Sequence, residues 1–99
     1  MERGGSVYIM TNKYHRVLYV GVTSDLVTRV QQHKQKLFPA SFTAKYNCTK
    51  LVYYKSFSTI EEAIAEENRM KGGSRSKKIE LINSMNQDWD DLWGILKEW

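Results

Sequence analysis

The strongest constraint on what this chain can fold into is a pair of β-prone runs near its N-terminus. Residues 6 to 12 (SVYIMTN) and 16 to 22 (RVLYVGV) are dense in β-branched and aromatic side chains, with only the polar segment Lys13 to His15 between them. That pattern predicts a β-hairpin. With Tyr8 placed opposite Tyr19, Val7 faces Val20 and Ile9 faces Leu18. Alternation along each strand then gathers Val7, Ile9, Leu18 and Val20 on one face and the two tyrosines on the other. A slip of one residue would scatter both groups. The apolar face has to be covered, and a chain of 99 residues has material for a single core.

The rest of the chain supplies the cover. Ser24 reads as an N-cap, Asp25 suits a first helical turn, and the glycine-free and proline-free stretch to about Lys36 predicts a helix. Pro39 lies beyond its end, and KLFPASFTAKYNCTK reads as an irregular connection with room for a short helical turn. Leu51 to Phe57 (LVYYKSF) is a third strand. Ser58 with Glu61, or Thr59 with Glu62, makes a capping box for a helix to about Lys71, closed by Gly72-Gly73. Ser76 to Met85 reads as a third helix. Asp88 with Asp91 starts a fourth, a docking helix over about 88–98 with Trp89, Leu92, Trp93 and Leu96 on one face. The order β-β-α-β-α-α-α predicts an α+β fold, a small three-stranded antiparallel sheet flanked by helices in one domain spanning 1–99.

Composition narrows the function classes. Cys48 is the sole cysteine, so no internal disulfide can form and a cysteine-bound zinc is excluded. No signal-peptide pattern and no apolar run of about 20 residues is present. The expectation is a soluble cytoplasmic protein, monomeric by default, without a membrane partner. The net charge is +4, and RMKGGSRSKK (residues 69–78) holds five basic residues and no acid. Arg69, Lys71, Arg75, Lys77 and Lys78, with Lys45, are candidates to contact a phosphate backbone. A solvated charged face is the bland alternative for any one of them.

Some residues resist a purely structural reading. In the first helix Leu26, Val30 and Leu37 form the apolar stripe, His33 falls within it and Arg29 lies at its margin. A histidine alone is commonly a satisfied boundary residue, but a cation beside a core face needs an anionic partner or ligand. In the second helix Ile60, Ala63 and Ile64 define the apolar face, Glu67 lies inside it and Glu66 points away. Glu67 then either neutralises Arg29 in a buried ion pair or helps to hold a divalent cation and a phosphate. Gly21, next to the second tyrosine, marks a bulge or a close approach.

Tyr8, Tyr19-Val20-Gly21, Arg29, His33 and Glu67 together resemble the GIY-YIG nuclease signature. Ser6-Val7-Tyr8 stands for its first tripeptide and Tyr19-Val20-Gly21 for its second, at the family's spacing, and TSDLVTRVQQHK is similar to its first helix. The likeness covers residues 6 to about 85, and the run from Asn86 to Leu92 resembles small stand-alone (URI-type) bacterial members. Departures are Ser6 for glycine, Val20 for isoleucine, Val22 where some repair-type members carry lysine, and Gly72-Gly73 where a tryptophan is common. The resemblance implies metal-dependent endonuclease-type hydrolysis of DNA phosphodiester bonds, in repair or recombination. Its site would be Tyr8, Tyr19, Arg29, His33 and Glu67, with Glu67 as ligand of Mg²⁺ or Mn²⁺ and either tyrosine as the base. A non-catalytic nucleic-acid-binding module that keeps the fold is the alternative.

Overall fold

The computed structural model describes residues 4–98. Three antiparallel strands form one sheet in the order β2-β1-β3, with β1 (Gly5–Thr11) between β2 (Leu18–Thr23) and β3 (Lys50–Phe57). The central strand is buried throughout. The expected α+β architecture, a three-stranded antiparallel sheet flanked by helices, is what forms.

The hairpin register differs from the expected one by two residues: Tyr8 lies opposite Gly21, Met10 opposite Tyr19 and Thr11 opposite Leu18. The cause is the loop. The Asn12 side-chain oxygen accepts hydrogen bonds from the Arg16 and Val17 amides (2.8 and 3.3 Å), and Thr11 Oγ1 donates to the Val17 carbonyl (2.7 Å). Pairing therefore begins at Leu18 rather than in a tight turn at 13–15. A shift of two preserves the side-chain period, so the expected faces survive although the expected pairs do not.

The first helix, α1 (Leu26–Gln35), is capped by Asp25 rather than Ser24. Its carboxylate accepts from the Thr28 amide and hydroxyl (3.2 and 2.8 Å), and these bonds hold the carboxyl below its usual range. Lys36 ends the helix in the left-handed conformation. Leu37, expected on the apolar stripe, therefore leaves it and is 53% exposed. A four-residue helix, α2 (Phe42–Lys45), follows under the cap of Ser41. For α3 (Ile60–Gly72) the Thr59–Glu62 capping box is the one that forms, with Thr59 Oγ1 accepting from the Glu62 amide at 3.2 Å. Its inner face is Ile60, Ala63 and Met70, whereas Ile64, expected inside, is exposed.

Helix α4 (Arg75–Met85) starts under Ser74. The last helix is shorter than expected: α5 is Trp93–Leu96, because Trp89 takes a positive φ of 56°. Asp91 does not begin a helix at 88 but accepts from the Leu51 and Trp93 amides (3.2 and 3.1 Å). Asn86 spans the preceding turn, donating to the Val52 and Asp90 carbonyls. Trp89, Leu92 and Leu96 consequently do not share one face. Trp89 packs with the α3 side of the sheet, and Leu92 and Leu96 with the α1 side.

Two cores result. Val7, Ile9, Val20 and Tyr53 meet Ala63, Met70 and Ile82 on one face. On the other, Tyr8, Met10 and Leu51 meet Leu26, Val30, Cys48, Leu92 and Leu96.

Candidate active site

Tyr8 is fully buried, an unusual place for a phenol. Its neighbour across the hairpin explains how it fits. A Cβ on Gly21 would lie 2.4 Å from both Tyr8 Cζ and Oη, so the absence of a side chain at 21 is what lets the ring lie across β2. The close approach expected at Gly21 is thus made by Tyr8 itself.

At its outer end the phenol oxygen lies 2.8 Å from His33 Nε2, and His33 Nδ1 lies 2.8 Å from Thr43 Oγ1. Ser41 Oγ is 3.3 Å further on. Tyr19 completes the group: its ring centroid is 6.2 Å from that of Tyr8 and 5.6 Å from that of His33. The two tyrosines share a face on the diagonal, not directly opposite as expected.

Burial decides the protonation states. It pushes the Tyr8 phenol well above its ordinary value, and the neighbouring Tyr19 adds to this while the positive charge of Arg29 pulls the other way. Burial also pushes His33 down to about 4, assisted by the Arg29 charge. Near neutral pH the phenol is protonated and the imidazole neutral. Where the phenol proton lies in the Tyr8–His33 bond, Nε2 accepts and Nδ1 carries the hydrogen toward Thr43; both hydroxyls are able to donate and to accept. Thr43 is itself 1% exposed and holds the imidazole ring in place from behind.

Arg29 sits one helical turn before His33 and is exposed. No carboxylate pairs with it among the described residues. The ion pair considered between Arg29 and Glu67 is not formed, because Glu67 pairs with Lys71 at 3.1 Å. Glu67 lies on α3, which packs on β1 and β2 from the opposite face of the sheet. Tyr8, Tyr19 and His33 are in direct contact and Arg29 acts on Tyr8 and His33, whereas Glu67 has no hydrogen bond or ion pair with these four among the described residues. The side chain of Glu66 was expected in solvent, yet it is as sheltered as that of Glu67, 12% against 14% exposed. Glu66 bonds Arg69 Nε at 3.0 Å.

The basic candidates divide. Arg69 and Lys71 are compensated by Glu66 and Glu67. Arg75 donates to the His15 carbonyl (3.0 Å) and Lys78 to the Gly73 carbonyl (2.9 Å). Lys77 is exposed, and Lys45 lies 5.8 Å over the Tyr46 ring, close to the tyrosine group rather than with the 69–78 cluster. Sequence reasoning missed Thr43 and Ser41. Both lie in an irregular stretch where no periodicity marks them.

A family model described as the GIY-YIG catalytic domain matches residues 4–80. A UPF0213 protein of Streptococcus pneumoniae is 32% identical, over 79% of this chain and 83% of its own. A UPF0213 protein of Oceanobacillus iheyensis is 32% identical, over 89% of this chain and 100% of its own. The solution NMR structure of a UPF0213 protein from Bacillus halodurans superposes with a TM-score of 0.56 at 28% identity, covering 89% of this chain and 92% of that one.

Proposed function

Because this chain belongs to the GIY-YIG family, a nuclease family, we propose that it is a divalent-metal-dependent endonuclease hydrolysing DNA phosphodiester bonds. The observation that carries this reading is the Tyr8–His33 hydrogen bond beside an arginine that no carboxylate among the described residues neutralises. Arg29 is a cation held ready for an anion, next to a group that can take a proton from water.

No three His, Cys, Asp or Glu side chains are gathered among the described residues. A divalent ion here would have to take a single carboxylate and complete its sphere with water and substrate phosphate, as Mg²⁺ and Mn²⁺ are able to do. Glu67 is the carboxylate for it, since Lys71, its partner, is 54% exposed and free to release it. Such a cation supplies Lewis-acid stabilisation of the phosphate.

The chain's own residues account for the proton. A phenol whose ionisation is opposed by burial serves poorly as a free phenolate, but it does not have to ionise. Tyr8 is shut from solvent in the free protein, so the attacking water would have to enter with the phosphate; as Tyr8 Oη takes its proton, the phenol's own proton passes to His33 Nε2, and Nδ1 stays bonded to Thr43. The water oxygen bonds to phosphorus as the sugar oxygen leaves. A phosphate at Arg29 offsets the lesser of the two influences that depress His33, the Arg29 charge. Arg29 stabilises the charge that grows on the phosphoryl oxygens, and Tyr19 holds the outer side of the His33 ring.

A metal-titrated cleavage assay on DNA tests the proposal. Arg29→Ala is expected to lose about 10² to 10³ in rate with an unchanged melting temperature. Glu67→Gln is expected to abolish metal-dependent cutting while Glu66→Gln, equally sheltered, keeps it. Wild-type turnover in either Arg29→Ala or Glu67→Gln would overturn the site, and binding without cutting by the wild type would make the chain a non-catalytic binding module.

A further inference from the structure

From Tyr19 a line of aromatic rings leaves the site and ends in solvent. Phe42 is stacked on Tyr19 with centroids 5.9 Å apart and planes at 28°, and Tyr46 follows at 4.7 Å. Phe42 is 46% and Tyr46 44% exposed. Both sit on or next to the short helix that also delivers Thr43 to His33. The charge around these rings is positive: Lys45 lies 5.8 Å over the Tyr46 ring, Lys36 bonds the neighbouring Asn47, and Arg29 acts on Tyr8 and His33, none of the three with a carboxylate partner among the described residues.

We infer that Phe42 and Tyr46 form a stacking platform for an unpaired base beside the cleaved phosphate, so that the preferred substrate is a strand unpaired at the cut. This rests on the nuclease reading for its link to cleavage. Rings on a polar, cationic surface suit nucleobases, because every base has a π-face while its phosphates meet the lysines. A base inside a duplex is covered on both faces by its neighbours and has to be unstacked before it can reach Phe42. A second copy of this chain would bring another electropositive face against the first, which the charge opposes.

The test uses a fluorescent oligonucleotide carrying 2-aminopurine, as a single strand and annealed to its complement, with EDTA present so that nothing is cut. The wild type is expected to bind the strand more tightly than the duplex and to perturb the 2-aminopurine fluorescence at one or two positions. Phe42→Leu and Tyr46→Leu are expected to weaken strand binding roughly 5- to 100-fold and to erase the preference over duplex. Phe42→Trp keeps a ring and should preserve the preference, which keeps the proposal testable if Phe42→Leu fails to fold. Equal affinity for strand and duplex, unchanged binding by Tyr46→Leu, or a wild-type dimer that Phe42→Leu dissociates would each overturn the platform. Cleavage with Mg²⁺ is scored separately. Strand binding through the rings without cutting removes the nuclease reading and keeps the platform, and equal cutting of strand and duplex does the reverse.

Discussion

The two faces of the sheet are made by the same strands and serve opposite ends. The α3 face closes over Val7, Ile9, Val20, Ala63, Met70 and Ile82, and its acids are paired within the helix that carries them. The α1 face buries a phenol and half-buries an imidazole, joins them in a Tyr8–His33–Thr43 chain, and holds Arg29 beside them with no carboxylate partner among the described residues. Every buried polar side-chain atom described has a partner, so the chemistry on the α1 side does not come from unsatisfied groups. The groups proposed to react there are satisfied ones, with Tyr8 and His33 held in their neutral forms by burial. One face is mostly packed core and the other carries the proposed site apart from Glu67, which sits on α3, at a separation of one side-chain alternation.

The division can be broken at three levels. Ile82 is fully buried in the α3 core, and Ile82→Ala is expected to lower stability by about 2–5 kcal/mol while turnover per folded molecule is unchanged. Denaturant unfolding paired with the cleavage assay checks this, and a matching loss of turnover would mean that the faces are not separable. Gly21→Ala tests the seam between them. The added methyl meets the Tyr8 ring, with an expected cost of about 1–3 kcal/mol and displacement of the phenol from His33, visible as a changed His33 tautomer signal in ¹⁵N NMR.

The smallest effect is the pH dependence of the α1 side. Between the ordinary histidine value of 6.5 and the folded value of about 4, unfolded His33 binds a proton that folded His33 does not. Its contribution to stability is present above pH 6.5 and is lost as the pH falls toward 4. Melting temperatures from pH 7.5 to 4.5 should therefore fall less steeply for His33→Gln than for the wild type. His15, depressed by burial and by Lys50, remains in both proteins as a common background.

Much of this was legible in the residues. Alternation placed Val7, Ile9, Leu18 and Val20 away from Tyr8 and Tyr19, and helical phase put Leu26, Val30 and His33 on one side of α1. These periods are properties of the backbone. The register was not legible, because it depends on the Asn12 side chain capping the loop. Nor was the length of the last helix, where Asp91 bonds the Leu51 amide on a distant strand. Helical phase also singled out Glu67 over Glu66, and burial does not support that choice. Each carboxylate is sheltered by its own i,i+3 or i,i+4 cation, a local pairing that a projection onto one apolar face leaves out.

The sequence by itself determined the sheet with two unlike faces, the tyrosines together on one of them, and a helix that brings Arg29 and His33 to that side. These follow from periods of two and 3.6 residues, which side-chain order alone specifies. Only the tertiary structure decided that Tyr8 bonds His33 across the void left at Gly21, that Thr43 meets the other imidazole nitrogen, and that Phe42 continues the line of rings outward. Those contacts join residues ten to twenty-five positions apart, and no local pattern encodes which side chains meet once separate elements pack.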